Sequence, residues 1–122
     1  MKKMFYFTDV LPFLTDEGKA IEKLERNLEI FYENRDKIRL VWHPWSGNEK
    51  YMKLNESKIL EKYLEIVDKY CAEGWGDIDR SETMDGAKEV LLTCNAYYGD
   101  VCDLVYDAQN AKIPVMIQSI DV

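Results

Sequence analysis

The sequence predicts a single α/β domain, a three-layer α/β/α sandwich around a mostly parallel sheet, and three observations lead there. Short, near-continuous apolar runs alternate with longer segments whose apolar residues recur every three or four positions. The chain has 122 residues, enough for one core but about half of what a two-lobed enzyme needs. Neither an internal repeat nor a low-complexity linker divides it.

Met4, Phe5, Tyr6 and Phe7 form an aromatic run bounded by Asp9 and Pro12, the pattern of a buried first strand followed by a loop through Leu11 to Leu14. Thr15 is placed to cap a helix from about Asp16 to Arg35. Ile21, Leu24, Leu28 and Phe31 form its inner stripe, and Glu22, Glu25, Arg26 and Glu29 its solvated face. Ile38, Leu40, Val41 and Trp42 make a second strand, ended by His43, Pro44 and a Ser46-Gly47-Asn48 turn. A second helix runs from Ser57 to about Tyr70, with Leu60, Tyr63, Leu64 and Val67 on one stripe.

Farther along, Gly74-Trp75-Gly76-Asp77-Ile78-Asp79 leaves room only for a short third strand. Ser81 and Thr83 offer caps for a short helix through Ala87, and Val90, Leu91, Leu92 and Thr93 read as a strand that opens into a loop from Cys94 to Asp100. Leu104, Val105 and Ala108 suggest a last helix. Ile113, Val115, Met116 and Ile117 suggest a closing strand, with Pro114 tolerated near its start.

Composition excludes several classes of function. Asp and Glu number 23 against 16 Lys and Arg, a net charge of -7 with the two signs interleaved, so a nucleic-acid partner is not expected. Three cysteines and a single histidine give no zinc spacing, and no apolar run is long enough to span a membrane. The opening residues lack a cleavage pattern, which makes the cytoplasm the expected location. Without a Walker signature or a dinucleotide glycine fingerprint, neither ATP nor NAD is expected, and no cofactor is assigned. Cys71, Cys94 and Cys102 read as packing residues. Asp77, Asp79 and Asp85 read as turn and cap residues before they read as a magnesium cluster.

Ligands of open parallel sheets bind at the carboxyl ends of strands, and two loops fit that rule. In the first, Trp42-His43-Pro44-Trp45-Ser46-Gly47, His43 either contacts ligand as an acid, base or phosphate donor, or binds a nearby backbone carbonyl while a tryptophan packs over the core. In the second, Cys94-Asn95-Ala96-Tyr97-Tyr98-Gly99-Asp100, the tyrosines either stack on a base or form a structural strand-to-helix turn, with Asp100 competing as a helix cap.

The ordered set of a strand ending in WHPW, the EGWGDID segment, the NAYYGD loop and a terminal KIPVMIQ strand resembles, over nearly the whole chain, the carboxyl-terminal half of the CDP-glycerol glycerophosphotransferase-like family of GT-B transferases. The resemblance implies a Rossmann-like lobe that holds a nucleotide-diphosphate or CDP-linked donor against a second, amino-terminal lobe, in proteins that build cell-surface polymers. It implies His43 as the residue that binds donor phosphate or assists transfer. The donor contacts implied are Ser46 and Gly47, then Asn95, Tyr97, Tyr98, Gly99 and Asp100, and finally Cys102 and Asp103. This chain departs from the family pattern in carrying Val41 where an arginine is usual, Trp45 after the proline, and Cys102 and Asp103 in place of two serines. A lobe that binds but does not turn over donor alone is therefore expected, with a partner lobe or a second copy of the chain covering its open side. The alternatives are a transferase that is active with such a partner, and a purely structural or assembly domain.

Overall fold

The computed structural model describes residues 1–118. Five strands, β1 (Lys2–Thr8), β2 (Ile38–Pro44), β3 (Asp77–Ile78), β4 (Ala96–Gly99) and β5 (Val115–Ile117), form one sheet in the order β3-β2-β1-β4-β5, every pair parallel. Six helices connect them: α1 (Leu11–Thr15), α2 (Glu17–Glu33), α3 (Asn48–Leu54), α4 (Leu60–Glu73), α5 (Met84–Leu91) and α6 (Leu104–Asn110). The three-layer, Rossmann-like α/β/α sandwich is what the alternating pattern predicts.

Side-chain alternation along the central strands builds two separate cores. Tyr6 of β1 and Leu40 and Trp42 of β2 point to one face, where they meet Phe13, Leu24, Met52 and Tyr63 from α1 to α4. Phe5, Phe7, Val41 and Tyr97 point to the other, where Ala87 and Leu91 of α5 and Leu104 and Ala108 of α6 cover them. With both faces covered, the strands must be apolar throughout, and that continuity makes β1 and β2 readable.

The largest departure from the expected elements falls between Met84 and Asp100. Val90 and Leu91 end helix α5 and do not begin a strand, because Ala87, Val90 and Leu91 share one helical face and Thr83 caps the first turn by accepting the Gly86 N–H at 3.1 Å. The fourth strand is instead Ala96–Gly99, inside the expected loop. Its four residues pair with β1 and three of them, Tyr97, Tyr98 and Gly99, pair with β5, and its two tyrosines supply the packing. Two short helices also carry no clear sequence signal: α1, with Pro12 in its first turn, and α3, which begins directly after the Ser46-Gly47 turn. Asp16, not Thr15, caps α2, accepting the Lys19 N–H at 3.2 Å, while the Thr15 hydroxyl donates to the Leu11 carbonyl.

Candidate functional site

Strand order reverses between β1 and β4, so the crevice expected to take a ligand lies between the carboxyl ends of those two strands. Side chains fill it. Asp100, leaving β4, accepts the Asp9 N–H at 2.8 Å and the Gln118 Nε2–H at 2.9 Å. Gln118 Oε1 in turn accepts from Asn27 Nδ2 at 2.9 Å, and the same amide reaches the buried Tyr6 hydroxyl at 3.2 Å. The space left beside Asp100 is about 10 Å³, room for one water at most. Burial raises the Asp100 carboxyl above its usual range, partly offset by its two hydrogen bonds.

The residues of the NAYYGD segment are correspondingly dispersed. Asn95 sits at the amino edge of the sheet, where its Oδ1 accepts the Lys3 N–H at 2.8 Å, far along the strand from any carboxyl-end ligand. Tyr97 is 1% exposed, stacked on Phe5, and its hydroxyl donates to the Asp100 carbonyl. Tyr98 points to the opposite face and stacks on Tyr6 at 5.6 Å. Strand alternation therefore keeps the two rings from gripping one ligand together. Gly99 has φ +140°, and a Cβ there would lie 2.0 Å from the Phe7 carbonyl oxygen, so the glycine serves the close approach of β4 to β1. Asp100 does not cap α6. That position belongs to Asp103, whose side chain makes no capping bond, and the Cys102 thiol lies 3.5 Å from the Tyr97 hydroxyl, its pKa pushed up by burial.

The β2 loop looks different. His43 is 1% exposed, with its ring between Phe5 and Phe7 at 5.7 Å from each. Asp79, just after β3, presents its carbonyl at 3.1 Å and its Oδ2 at 2.9 Å from His43 Nδ1. The carbonyl takes the hydrogen bond, and Oδ2 stays in electrostatic contact with the ring without a donor of its own among the described residues. Both atoms facing Nδ1 are acceptors, so the neutral ring carries its proton there and leaves Nε2 as the acceptor. Asp79 is itself held by the Ser81 N–H at 3.2 Å and the Ser81 hydroxyl at 2.7 Å, both on Oδ1. Burial lowers the His43 pKa more than Asp79 raises it, which keeps the ring neutral at neutral pH. Trp42 packs in the core as expected, but the carbonyl that His43 meets is that of Asp79, 36 residues away and not a neighbour beside Pro44, so this pairing leaves no local signal.

Beyond Pro44 the chain opens a cavity of about 430 Å³, bounded by the β2-α3 turn, α4 and the segment after β3. Trp45, Ser46, Asn48, Tyr63 and Arg80 line it. Trp45 stacks on Tyr51 at 5.4 Å, and its ring passes so close to Gly47 that a Cβ there would sit 2.5 Å from it. Gly47 thus positions the tryptophan wall. Burial pushes the Tyr63 hydroxyl up to about 12, keeping it a donor at neutral pH. Sequence reasoning does not assign Trp45, Asn48, Tyr63 or Arg80 to a site. Only Trp45 belongs to a loop it singles out, and the others converge from α3, α4 and the segment after β3.

Asp77, Asp79 and Asp85 do not gather. Asp77 pairs with Arg39 at 2.6 Å, Asp79 faces His43, and Asp85 lies in the first turn of α5. Among the described residues no cluster of three His, Cys, Asp or Glu could hold a metal ion, and no helix is long and apolar enough to cross a membrane. Comparison with protein-family models, with curated proteins and with solved structures finds no match to this chain.

Proposed function

We propose that this chain is a ligand-binding lobe on the plan of the carboxyl-terminal half of CDP-glycerol glycerophosphotransferase-like proteins, and that it binds a nucleotide-diphosphate or CDP-linked alcohol without turning it over alone. The observation that carries the reading is a division at the carboxyl edge: an open cavity of about 430 Å³ follows β2, while the neighbouring His43 ring is withdrawn to 1% exposure. The cavity has the size of a small-molecule site and lies at the carboxyl edge, where ligands of such sheets bind. Trp45 offers a flat wall for a base, carboxylates at the rim accept from ribose hydroxyls, and Arg80 is the cation available to a phosphate. A base acting on a bound hydroxyl has to come within about 3.2 Å of it, and the buried His43 ring, clamped by Asp79, does not reach into this space.

Calorimetric titration with CDP, UDP and CDP-glycerol tests the binding. Heat that disappears in Trp45→Ala supports it, and absence of heat at millimolar ligand contradicts it. Release of CMP from CDP-glycerol and a glycerol-phosphate acceptor by the purified chain, abolished in His43→Ala, would contradict the non-catalytic part. A second reading, activity completed by a partner lobe or a second copy, is favoured by Leu11 and Val101. These residues leave β1 and β4 at the same edge and are 61% and 66% exposed. Dimer mass in solution, lost on Leu11→Glu with Val101→Glu, would support the second copy.

A further inference from the structure

A second cavity, of about 380 Å³, lies between the carboxyl-terminal halves of α2 and α4, in the helical layer that covers Tyr6 and Trp42. Both helices run back from the carboxyl edge to start the next parallel strand, so their ends, and this groove with them, lie toward the amino edge of the sheet. Leu28, Ile66 and Tyr70 are its buried lining, while Tyr32, 41% exposed, and the half-buried Trp75 are the part that solvent reaches. Trp75 meets Tyr32 edge to face at 5.5 Å and 72°, and Tyr70 at 5.0 Å and 81°. Neighbouring rings therefore stand nearly perpendicular and form an aromatic corner open to water.

We propose that this corner binds a quaternary ammonium group. Aromatic corners take such cations through the negative faces of their rings, and the Tyr32 ring already carries the Arg35 guanidinium 4.0 Å above it, from outside the cavity lining. The surrounding charge has the complementary sign. Glu25, Glu29 and Glu73 line the groove against Lys69 alone, and none of the four is in an ion pair among the described residues. The peptide dipoles add to it, because α2 and α4 both bring their carboxyl ends here and neither has a basic residue in its last turn. Arg39 does not neutralise the groove, since it is committed to Asp77 and to the Trp75 carbonyl.

Charge calls for a cation, and the lining decides which kind. Leu28 and Ile66 offer no polar side-chain atom, and the Tyr70 hydroxyl is engaged with the Asp77 carbonyl at 2.6 Å. A primary ammonium entering this space gives up hydrogen bonds to water and finds no side-chain acceptor in the buried lining. N-methyl groups have no such bonds to lose and pack against the rings and the aliphatic side chains.

The test is a titration of the ¹⁵N-labelled chain near neutral pH with choline, with dimethylbutanol, in which a carbon replaces the quaternary nitrogen, and with ethanolamine, which keeps the charge without the methyl groups. Saturable shifts of the Trp75 indole N–H and the Tyr32 backbone amide are expected with choline, at an affinity about tenfold above either control. Tyr32→Leu should weaken choline binding about fivefold and Tyr32→Phe should leave it unchanged, because the exposed ring and not its hydroxyl makes the wall. Glu29→Gln, on the rim, should weaken it about twofold. Comparable affinity for dimethylbutanol overturns the proposal, since charge would then be irrelevant, and comparable affinity for ethanolamine overturns it because the methyl groups would be. Absence of a saturable shift at Trp75 up to about 100 mM choline, where even a site of roughly millimolar Kd would be full, also overturns it. Cosedimentation with phosphatidylcholine vesicles, competed by choline, would assign the group to a lipid headgroup, and choline shifts without cosedimentation to a free ligand. The outcome is separate from that of the CDP titration, because the two cavities share no lining residue.

Discussion

The two crevices at the carboxyl edge share a sheet and a set of loops, yet one is closed and the other open. Between β1 and β4, Asp100 spans the gap to the Asp9 amide and Gln118, and about 10 Å³ remains. After β2, the chain turns through Gly47 into α3, and Trp45 folds back against Tyr51 to leave about 430 Å³. Position at a topological switch point makes a crevice available, while the residues at its mouth decide whether it stays available. A carboxylate tied to a backbone N–H just past the facing strand is a bolt. A tryptophan that a glycine lets lie against the backbone is a wall.

The closed side depends most on Gly99. Gly99→Ala should cost about 3 kcal/mol or more in urea unfolding, because the new Cβ meets the Phe7 carbonyl at 2.0 Å and the φ of +140° disfavours any side chain. A loss below about 1 kcal/mol would show that β4 has room to move away from β1.

His43→Phe keeps a ring between Phe5 and Phe7 but removes the Nδ1–H that the Asp79 carbonyl accepts and that its carboxylate faces, an expected loss of about 2 kcal/mol near neutral pH. The His43 pKa is depressed in the folded chain, so its contribution is full above 6.5 and is lost as pH falls through the lower folded value. The gap between wild type and variant should therefore narrow in mild acid.

Asp100 runs the other way. Its carboxyl should titrate above 3.8 by ¹³C NMR, and its contribution is full below 3.8 and lost as pH rises through the raised folded value. Asp100→Asn retains an oxygen for Gln118 but offers no acceptor to the Asp9 N–H. Its cost, about 1 kcal/mol in acid, should shrink toward neutral pH. A cost that grows with pH would contradict burial as the cause of the shift.

The smallest effect belongs to Asn95→Ala. Losing an exposed bond to the Lys3 N–H at the amino edge should cost about 0.5 kcal/mol and leave CDP titration unchanged. A change in CDP affinity would connect this edge to the site.

How much of this is legible without coordinates depends on where the stabilising contacts come from. β1, α2, β2 and α4 carry their own signal, since Phe5, Tyr6 and Phe7 or Leu24 and Leu28 are buried by the periodicity of the element they belong to. β4 does not. It has four residues, one of them a glycine, and is held as a strand by ladders to β1 and β5 on either side, so its sequence reads as a turn. The apolar run at Val90, Leu91 and Leu92 misleads for the converse reason: two of the three face inward from a helix, and Leu92 is 48% exposed. Within the site, His43 is conspicuous as the single histidine, whereas Asp79 and the lock between Asp9 and Asp100 arise from contacts across 36 and 91 residues.

Backbone amide shifts mapped during titration with CDP distinguish ligand entry after β2 from entry between β1 and β4. Saturable shifts are expected at Ser46, Gly47, Asn48, Arg80 and Glu82 and at the Trp45 indole, with Asp9 and Asp100 unmoved. Shifts centred on Asp9, Gly99, Asp100 and Cys102, with the Trp45 indole silent, would contradict entry after β2.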